Sequence, residues 1–202
     1  MGTKQGLVKK TSLSEYANPR TAGITAITLT KNDELISVHM GTDKQDLILA
    51  THEGMSIRFP LKEVREIGRT GQGVKGITLD KDDYVVDMVI VEDPKGSLLT
   101  ICESGYGKRT VLTEYRVQGR SGKGLINVKT ADKTGKVVGV KPVTDEDELM
   151  LITSNGTMLR MKVSDIKTTG RNTQGVRVIK VKDDDRVVAV ANMAAKDEEE
   201  AE

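Results

Sequence analysis

Gln118-Gly119-Arg120-Ser121-Gly122-Lys123-Gly124 is the stretch around which this chain is organised. Three glycines and two cations share these seven residues. Glycine accepts positive φ values and lets another group approach the backbone, and exposed N–H groups in such a loop form a concavity that binds anions. The stretch therefore suits a phosphate group, although a simple tight turn that carries a cation has the same composition.

The same loop recurs along the chain. Arg69-Thr70-Gly71-Gln72-Gly73 begins 51 residues before Arg120, and Arg171-Asn172-Thr173-Gln174-Gly175 begins 51 residues after it. Arg20-Thr21-Ala22-Gly23 is a shortened copy. Self-similarity at a fixed period of this size indicates a repeat architecture.

Each repeat also contains a turn glycine, and other residue types keep a constant distance from it. These glycines are Gly6, Gly54, Gly105 and Gly156, separated by 48, 51 and 51 residues. A cation follows four residues later, an aliphatic residue seven later and an acid nine later. We call the first set the strand cations; they are Lys10, Arg58, Arg109 and Arg160. The acids are Glu15, Glu63, Glu114 and Asp165.

Short apolar runs between turn signals predict β-strands in every repeat. The runs that follow the glycine-rich loops are Ile24–Leu29, Val74–Leu79, Leu125–Lys129 and Val176–Val181. A second run closes each repeat: Leu35–Met40, Val85–Val91, Val137–Val140 and Val187–Val190. Only Leu61–Val64 and its equivalents are expected to form a helical turn.

A repeat of about 50 residues with about four strands predicts an all-β, β-propeller-like array of four-stranded blades. The blades are expected at about 1–45, 46–96, 97–145 and 146–194, followed by a disordered acidic tail at 195–202. A strand precedes the turn glycine at Asp46–Thr51, Ser97–Cys102 and Glu148–Thr153. Only five residues precede Gly6, so the first blade is expected to be incomplete.

The composition is that of a soluble globular protein, with 37% hydrophobic and 30% charged residues. No apolar run approaches the ~20 residues of a membrane helix, and no signal peptide is recognised, so we expect a cytoplasmic protein without a membrane partner. The lone cysteine, Cys102, is expected in the core, and His39 and His52 stand alone. No metal or cofactor is predicted.

The formal net charge of +1 conceals an acidic tail. Without residues 196–202 the chain keeps 30 Lys and Arg against 25 Asp and Glu, a formal charge of +5. Such tails are usually solvated. The tail is expected either to solubilise the protein or to compete with a polyanion for the basic body.

In these repeated motifs the chain resembles the C-terminal domain of the bacterial DNA gyrase A subunit. Leu13-Ser14-Glu15-Tyr16, Thr113-Glu114-Tyr115-Arg116 and the stretch from Gly170 to Arg177 carry the resemblance. It implies a β-pinwheel whose blades exchange strands and that wraps duplex DNA. It also implies a non-catalytic part of an ATP-dependent type II topoisomerase associated with the nucleoid. The implied partners are DNA, the remainder of the A subunit and the ATPase B subunit.

The family's hallmark is a box of the form Gln-basic-Arg-Gly-Gly-basic-Gly in its first blade. The opening stretch matches the box at five positions and departs from it at Gly119 and Ser121. It therefore resembles the related loop of a later blade.

The strand cations have two interpretations. Each pairs with the acid five residues later, as Arg58 with Glu63, or faces a phosphate backbone; the resemblance favours phosphate. The predicted DNA-binding residues are Gln118, Arg120, Lys123, Arg69, Arg171, Arg58, Arg109, Arg160, Lys10 and Arg20. No catalytic residue is predicted, and without recognition helices the contact is expected to be independent of sequence. The alternatives are the C-terminal domain of the topoisomerase IV A subunit and a protein-binding propeller scaffold.

Overall fold

The computed structural model describes residues 1–193, so the predicted acidic tail at 195–202 lies outside the described residues. Within residues 1–193 the secondary structure consists of β-strands and short 3-10 turns. The strands are β1 (Gly2–Thr3), β2 (Leu7–Val8), β3 (Leu35–Ser37), β4 (Asp46–Thr51), β5 (Met55–Pro60), β6 (Val74–Lys75), β7 (Val85–Val91), β8 (Ser97–Cys102), β9 (Tyr106–Val111), β10 (Leu125–Ile126), β11 (Val137–Val143), β12 (Glu148–Thr153), β13 (Met158–Lys162), β14 (Val176–Arg177) and β15 (Val187–Met193). The 3-10 turns are Leu13–Tyr16, Leu61–Glu63, Leu112–Glu114 and Val163–Asp165. The all-β prediction and the predicted helical turns are confirmed.

The described strands form four antiparallel sheets, one for each predicted blade. Their strand orders are β3-β1-β2-β6 for the first blade, β10-β5-β4-β7 for the second, β11-β8-β9-β14 for the third and β13-β12-β15 for the fourth. Each blade contains a hairpin that turns at the predicted glycine. Gly6, Gly54, Gly105 and Gly156 have φ values of 81°, 92°, 78° and 83°. This left-handed conformation suits glycine because it has no Cβ.

Three blades take their edge strand from the following repeat. β6 pairs with β2, with Leu7 opposite Lys75 and Val8 opposite Val74. In the same way β10 pairs with β5, and β14 pairs with β9. Each of these edge strands follows a glycine-rich loop directly, so each loop is attached to the blade that precedes it in the chain.

The chain divides into two compact units. The first contains Met1–Glu92 and Tyr115–Asn127, and the second contains Asp93–Glu114 and the chain from Val128 onward. The segment Tyr115–Asn127 belongs to the first unit because its strand β10 completes the second blade. The first unit's core includes Leu49, Phe59 and Met88, and the second unit's core includes Leu99, Leu149 and Val187.

The first blade differs from the expectation in one respect. Its first strand is not missing but is reduced to the two residues Gly2–Thr3, against six residues in β4. A cavity of about 520 Å³ adjoins this blade and is lined in part by Leu13, Val38 and Met40. Among the described residues, the blade with three strands is the fourth.

The runs after the glycine-rich loops form less strand than expected. In the last three repeats only two residues of each run join a ladder. The next backbone N–H then bonds to a turn glycine of the preceding repeat, as Asn127 N bonds to Gly54 O at 2.8 Å. Ile24–Leu29 forms no strand within residues 1–193.

Candidate nucleic-acid interface

The three full-length glycine-rich loops, which we call the glycine loops, are residues 69–73, 120–124 and 171–175. Each closes on a glycine with positive φ: 109° at Gly73, 81° at Gly124 and 75° at Gly175. A Cβ at Gly124 would lie 2.8 Å from the carbonyl carbon of Ser56, and one at Gly175 would lie 2.9 Å from the carbonyl carbon of Gly107. These two glycines are therefore required for the close approach of the protein's own backbone.

The arginines that open the glycine loops, which we call the loop arginines, are Arg69, Arg120 and Arg171. All three are half-buried. Arg120 donates from Nε to Glu63 O at 3.2 Å and from Nη1 to Lys75 O at 3.0 Å. Arg69 donates from Nη1 to Thr25 O at 3.1 Å. In Arg69 and Arg120, part of the guanidinium thus bonds to the protein's own backbone.

Two of the acids nine residues after the turn glycines, Glu63 and Glu114, support the loops of the following repeat. The Glu63 carboxylate accepts from Arg120 N at 3.2 Å, and the Glu114 carboxylate accepts from Arg171 N at 3.0 Å. The interpretation that pairs Arg58 with Glu63 is therefore wrong. Glu63 supports a loop instead, and the carboxylate that pairs with Arg58 is that of Asp46.

Two strand cations are buried. Arg58 is 9% exposed; it pairs with Asp46 at 2.8 Å and donates from Nη1 to Tyr115 O at 3.4 Å. Arg109 is 8% exposed; it pairs with Asp145 and donates from Nε to Ile166 O at 2.7 Å. This burial favours a structural role, in which each arginine holds a carbonyl of the following repeat.

The other predicted contacts lie closer to solvent. Arg160 is exposed and pairs with Glu148, while Lys10 is half-buried and pairs with Asp43. Lys123 is exposed and pairs with the exposed Asp80 at 2.6 Å. Arg20 is exposed, and Gln118 is half-buried with its backbone N bonded to Arg58 O at 2.8 Å. Contact of any of these residues with DNA stays a prediction.

Two buried lysines were not predicted. Lys108 has no exposed surface, and its Nζ donates to Gly170 O at 2.8 Å and to Arg171 O at 2.5 Å. Lys9 occupies the same repeat position and donates to Ala26 O at 2.6 Å and to Arg69 O. Burial lowers the pKa of both amines, in Lys108 to about 8. The second repeat has Ile57 at this position, so the recurrence was too weak to find from the sequence.

A third set of recurring cations was also missed. We call Arg65, Arg116 and Lys167 the flank cations; each stands four residues before a loop arginine, so the set has the same 51-residue spacing. All three are exposed. The spacing would have revealed them.

Among the described residues, the cysteine, a buried tyrosine and the candidate metal-ligating side chains bear on catalysis and metal binding. Cys102 is fully buried as predicted, and burial raises the pKa of its thiol to about 12. The Tyr115 ring is buried, and its hydroxyl donates to Asn127 Oδ1 at 2.6 Å. Within residues 1–193 no group of three or more His, Cys, Asp or Glu side chains is placed to hold a metal ion. No helix in that range is long and apolar enough to cross a membrane.

Comparison with known proteins bears directly on these repeats. The chain matches the family described as DNA gyrase C-terminal domain, beta-propeller, over residues 1–40, 45–92, 96–144 and 147–192. The chain belongs to this family. The matched segments contain the three glycine loops and the flank cations.

Curated relatives of this gyrase-type domain are DNA gyrase A subunits. The chain is 46% identical over 200 residues to the subunit from Helicobacter pylori, covering 98% of this chain and 24% of the relative. It is 43% identical over 194 residues to the subunit from Salmonella typhimurium, covering 96% of this chain and 22% of the relative. The chain thus spans about a quarter of the length of these relatives.

Two solved structures share the fold over 95% of this chain. One is the C-terminal domain of DNA topoisomerase IV, with a TM-score of 0.89, 28% identity and 60% of that chain covered. The other is the DNA gyrase A C-terminal domain, with a TM-score of 0.85, 26% identity and 64% of that chain covered. The predicted family and propeller-like fold are therefore confirmed.

Proposed function

We propose that this chain binds duplex DNA without sequence preference and bends it along a series of similar basic contacts. In the parent enzyme it would act as the non-catalytic C-terminal part of the DNA gyrase A subunit, in support of ATP-dependent negative supercoiling. The observation that carries the proposal is the recurrence of Lys and Arg at 51-residue intervals in a member of this family. The proposed partners are DNA, the rest of the A subunit and the ATPase B subunit, in the bacterial cytoplasm.

The contact chemistry follows from the side chains available. Exposed Lys and Arg side chains neutralise phosphates and release counterions, which makes binding depend on salt rather than on sequence. Lys123 and Arg160 are exposed, and their surface ion pairs are worth only ~0–1 kcal/mol, so a phosphate can replace the carboxylate. Bending a 20–30 bp segment by 40–90° costs about 1–6 kcal/mol, which successive contacts would offset.

The experiment is fluorescence anisotropy with two duplexes of unrelated sequence, each about 30 bp long. We expect equal affinities for the two duplexes. If ~6 phosphates are neutralised, affinity falls roughly 10³-fold between 50 and 200 mM salt. An affinity that does not change with salt would contradict the proposal and favour the protein-binding scaffold.

A domain of the topoisomerase IV type is the second candidate, because the structure of such a domain has a TM-score of 0.89 with this chain. The two candidates differ in how strongly the DNA is bent. Ligase-mediated circularisation of short duplexes measures bending directly. Faster circularisation in the presence of the protein supports the gyrase-type function, whereas salt-dependent binding without faster circularisation supports the second candidate.

A further inference from the structure

Three positions of the repeat carry Lys or Arg in the second, third and fourth repeats alike. They are the strand position (Arg58, Arg109, Arg160), the flank position (Arg65, Arg116, Lys167) and the loop position (Arg69, Arg120, Arg171). The flank cations alone among these sets are exposed in all three of these repeats. The strand set includes two buried arginines, and the loop set is half-buried throughout.

The side chains at the three positions also differ in what they bond to. Arg58 and Arg109 hold backbone carbonyls, and so do Arg69 and Arg120. Among residues 1–193, the flank side chains make no hydrogen bond or ion pair with the protein. A cation that is exposed and not bonded to a carboxylate can bind a phosphate without first breaking an internal contact.

The backbone that carries the flank cations is anchored by buried neighbours and hydrogen bonds in spite of their exposure. The residue before each one is buried: Val64 at 1%, Tyr115 at 2% and Ile166 at 1% exposure. The carbonyl of Tyr115 accepts from Arg58, and that of Ile166 accepts from Arg109. The buried strand arginines thus fix the peptides that present Arg116 and Lys167.

Backbone hydrogen bonds hold the other side of each flank cation. Ile67 N donates to Lys10 O at 2.9 Å and Gln118 N donates to Arg58 O at 2.8 Å. In the last repeat, Arg109 N donates to Lys167 O at 3.3 Å. Each flank cation therefore projects from a backbone segment attached to the strand of the preceding repeat.

From this arrangement we propose that Arg65, Arg116 and Lys167 are the principal phosphate contacts of the domain. The inference rests on the proposed function and specifies the residues that carry it. The buried strand arginines hold the carbonyls that precede Arg116 and Lys167, and Arg120 holds Glu63 O, two residues before Arg65. The flank cations stand eleven residues after their turn glycines, and the first repeat has Ala17 at that distance from Gly6, so it lacks this contact.

The test compares two triple variants with the unmodified chain. The flank variant is Arg65→Gln, Arg116→Gln and Lys167→Gln, and the matched loop variant is Arg69→Gln, Arg120→Gln and Arg171→Gln. Each phosphate contact contributes ~0.9 to the slope of log K against log salt, so the flank variant should lower that slope by about 2.7. Its melting temperature should stay close to that of the unmodified chain because it removes only exposed side chains. The loop variant should melt earlier, and its slope should change less.

A variant that adds a phosphate contact gives a second measurement, which does not depend on the removal of side chains. Ala17→Arg adds an exposed cation at the flank position of the first repeat and should raise the slope by about 0.9. A steep slope in the unmodified chain that is unchanged in the flank variant would overturn this inference and leave the proposed function intact. A flat profile in the unmodified chain would overturn both.

Discussion

Gly124→Ala tests whether the closing glycine of a glycine loop serves the protein's own backbone. Gly124 has φ of 81°, and it precedes the edge strand β10, in which Leu125 pairs with Ser56. A Cβ at this position would lie 2.8 Å from the carbonyl carbon of Ser56 and 3.2 Å from Ile57 N. Both atoms are backbone and cannot rotate away, so the loop and β10 must move together.

Two effects set the magnitude of the loss. The left-handed conformation costs a residue with a Cβ about 1–2 kcal/mol. Displacing β10 loses hydrogen bonds of a short ladder, each worth about 0.5–1.5 kcal/mol. Together these predict that Gly124→Ala lowers the free energy of unfolding by roughly 3–5 kcal/mol. For a chain of this size that corresponds to a fall in melting temperature of roughly 6–20 °C.

Gly119→Ala is the matched control in the same loop. A Cβ at Gly119 would have no heavy atom within 4 Å, and no positive φ is recorded there. We expect a change of no more than ~1 kcal/mol, which is the range for Gly→Ala at a compatible site.

Urea unfolding followed by far-UV circular dichroism suits this chain, which has no tryptophan. The reasoning is refuted if Gly124→Ala unfolds within about 1 kcal/mol of the unmodified chain, or if the control is equally destabilised.

Three further predictions concern the strand cations, the buried lysine and the tail. Arg109→Met should lower the free energy of unfolding by about 1–3 kcal/mol because Ile166 O loses its hydrogen-bond donor. Arg160→Met should lower it by at most ~1 kcal/mol because the ion pair of Arg160 is exposed. Equal losses of the two variants in urea unfolding would contradict this contrast. Lys108 has a pKa of about 8 in the folded chain, against its ordinary value of 10.5. Between these pH values the unfolded state binds more protons than the folded state, so the free energy of unfolding should rise with pH. Relative to Lys108→Ile, the rise should be at most ~3 kcal/mol. Parallel stability curves for these two proteins from pH 8 to 10.5 would show that the amine is not perturbed. Deleting residues 196–202 should tighten duplex binding at low salt and leave it unchanged at high salt, because screening removes the competition of the acids; unchanged affinity at low salt would make the tail a solubilising segment only.

Much of the fold could be predicted from the sequence because its signals are local and repeated. The turn glycines and the apolar runs lie within a few residues of one another in each repeat. Their constant spacing therefore predicts the strands and the number of blades. The predictions were least accurate where this spacing is irregular. Ile24–Leu29 forms no strand, and the shortened loop at Arg20 lies in the same repeat.

The candidate site was predicted less completely because a cation's role depends on its surroundings. Arg58 and Arg160 occupy the same repeat position, yet the first is 9% exposed and the second is exposed. Nothing adjacent in sequence distinguishes them. The flank cations were overlooked although their spacing is as regular as that of the loop arginines.

By itself the sequence determined the 51-residue period, the turn glycines, the all-β class and the family, since each depends on residue types at short and constant separations. Only the tertiary structure decided which blade each glycine loop joins and which cations stay in solvent. Leu125 joins β5 from a position 69 residues after Ser56, the residue it pairs with, and Lys108 reaches Gly170 O across 62 residues. Contacts over such distances arise from packing and backbone pairing in three dimensions, and this packing buries Arg109 while it leaves Arg116 exposed.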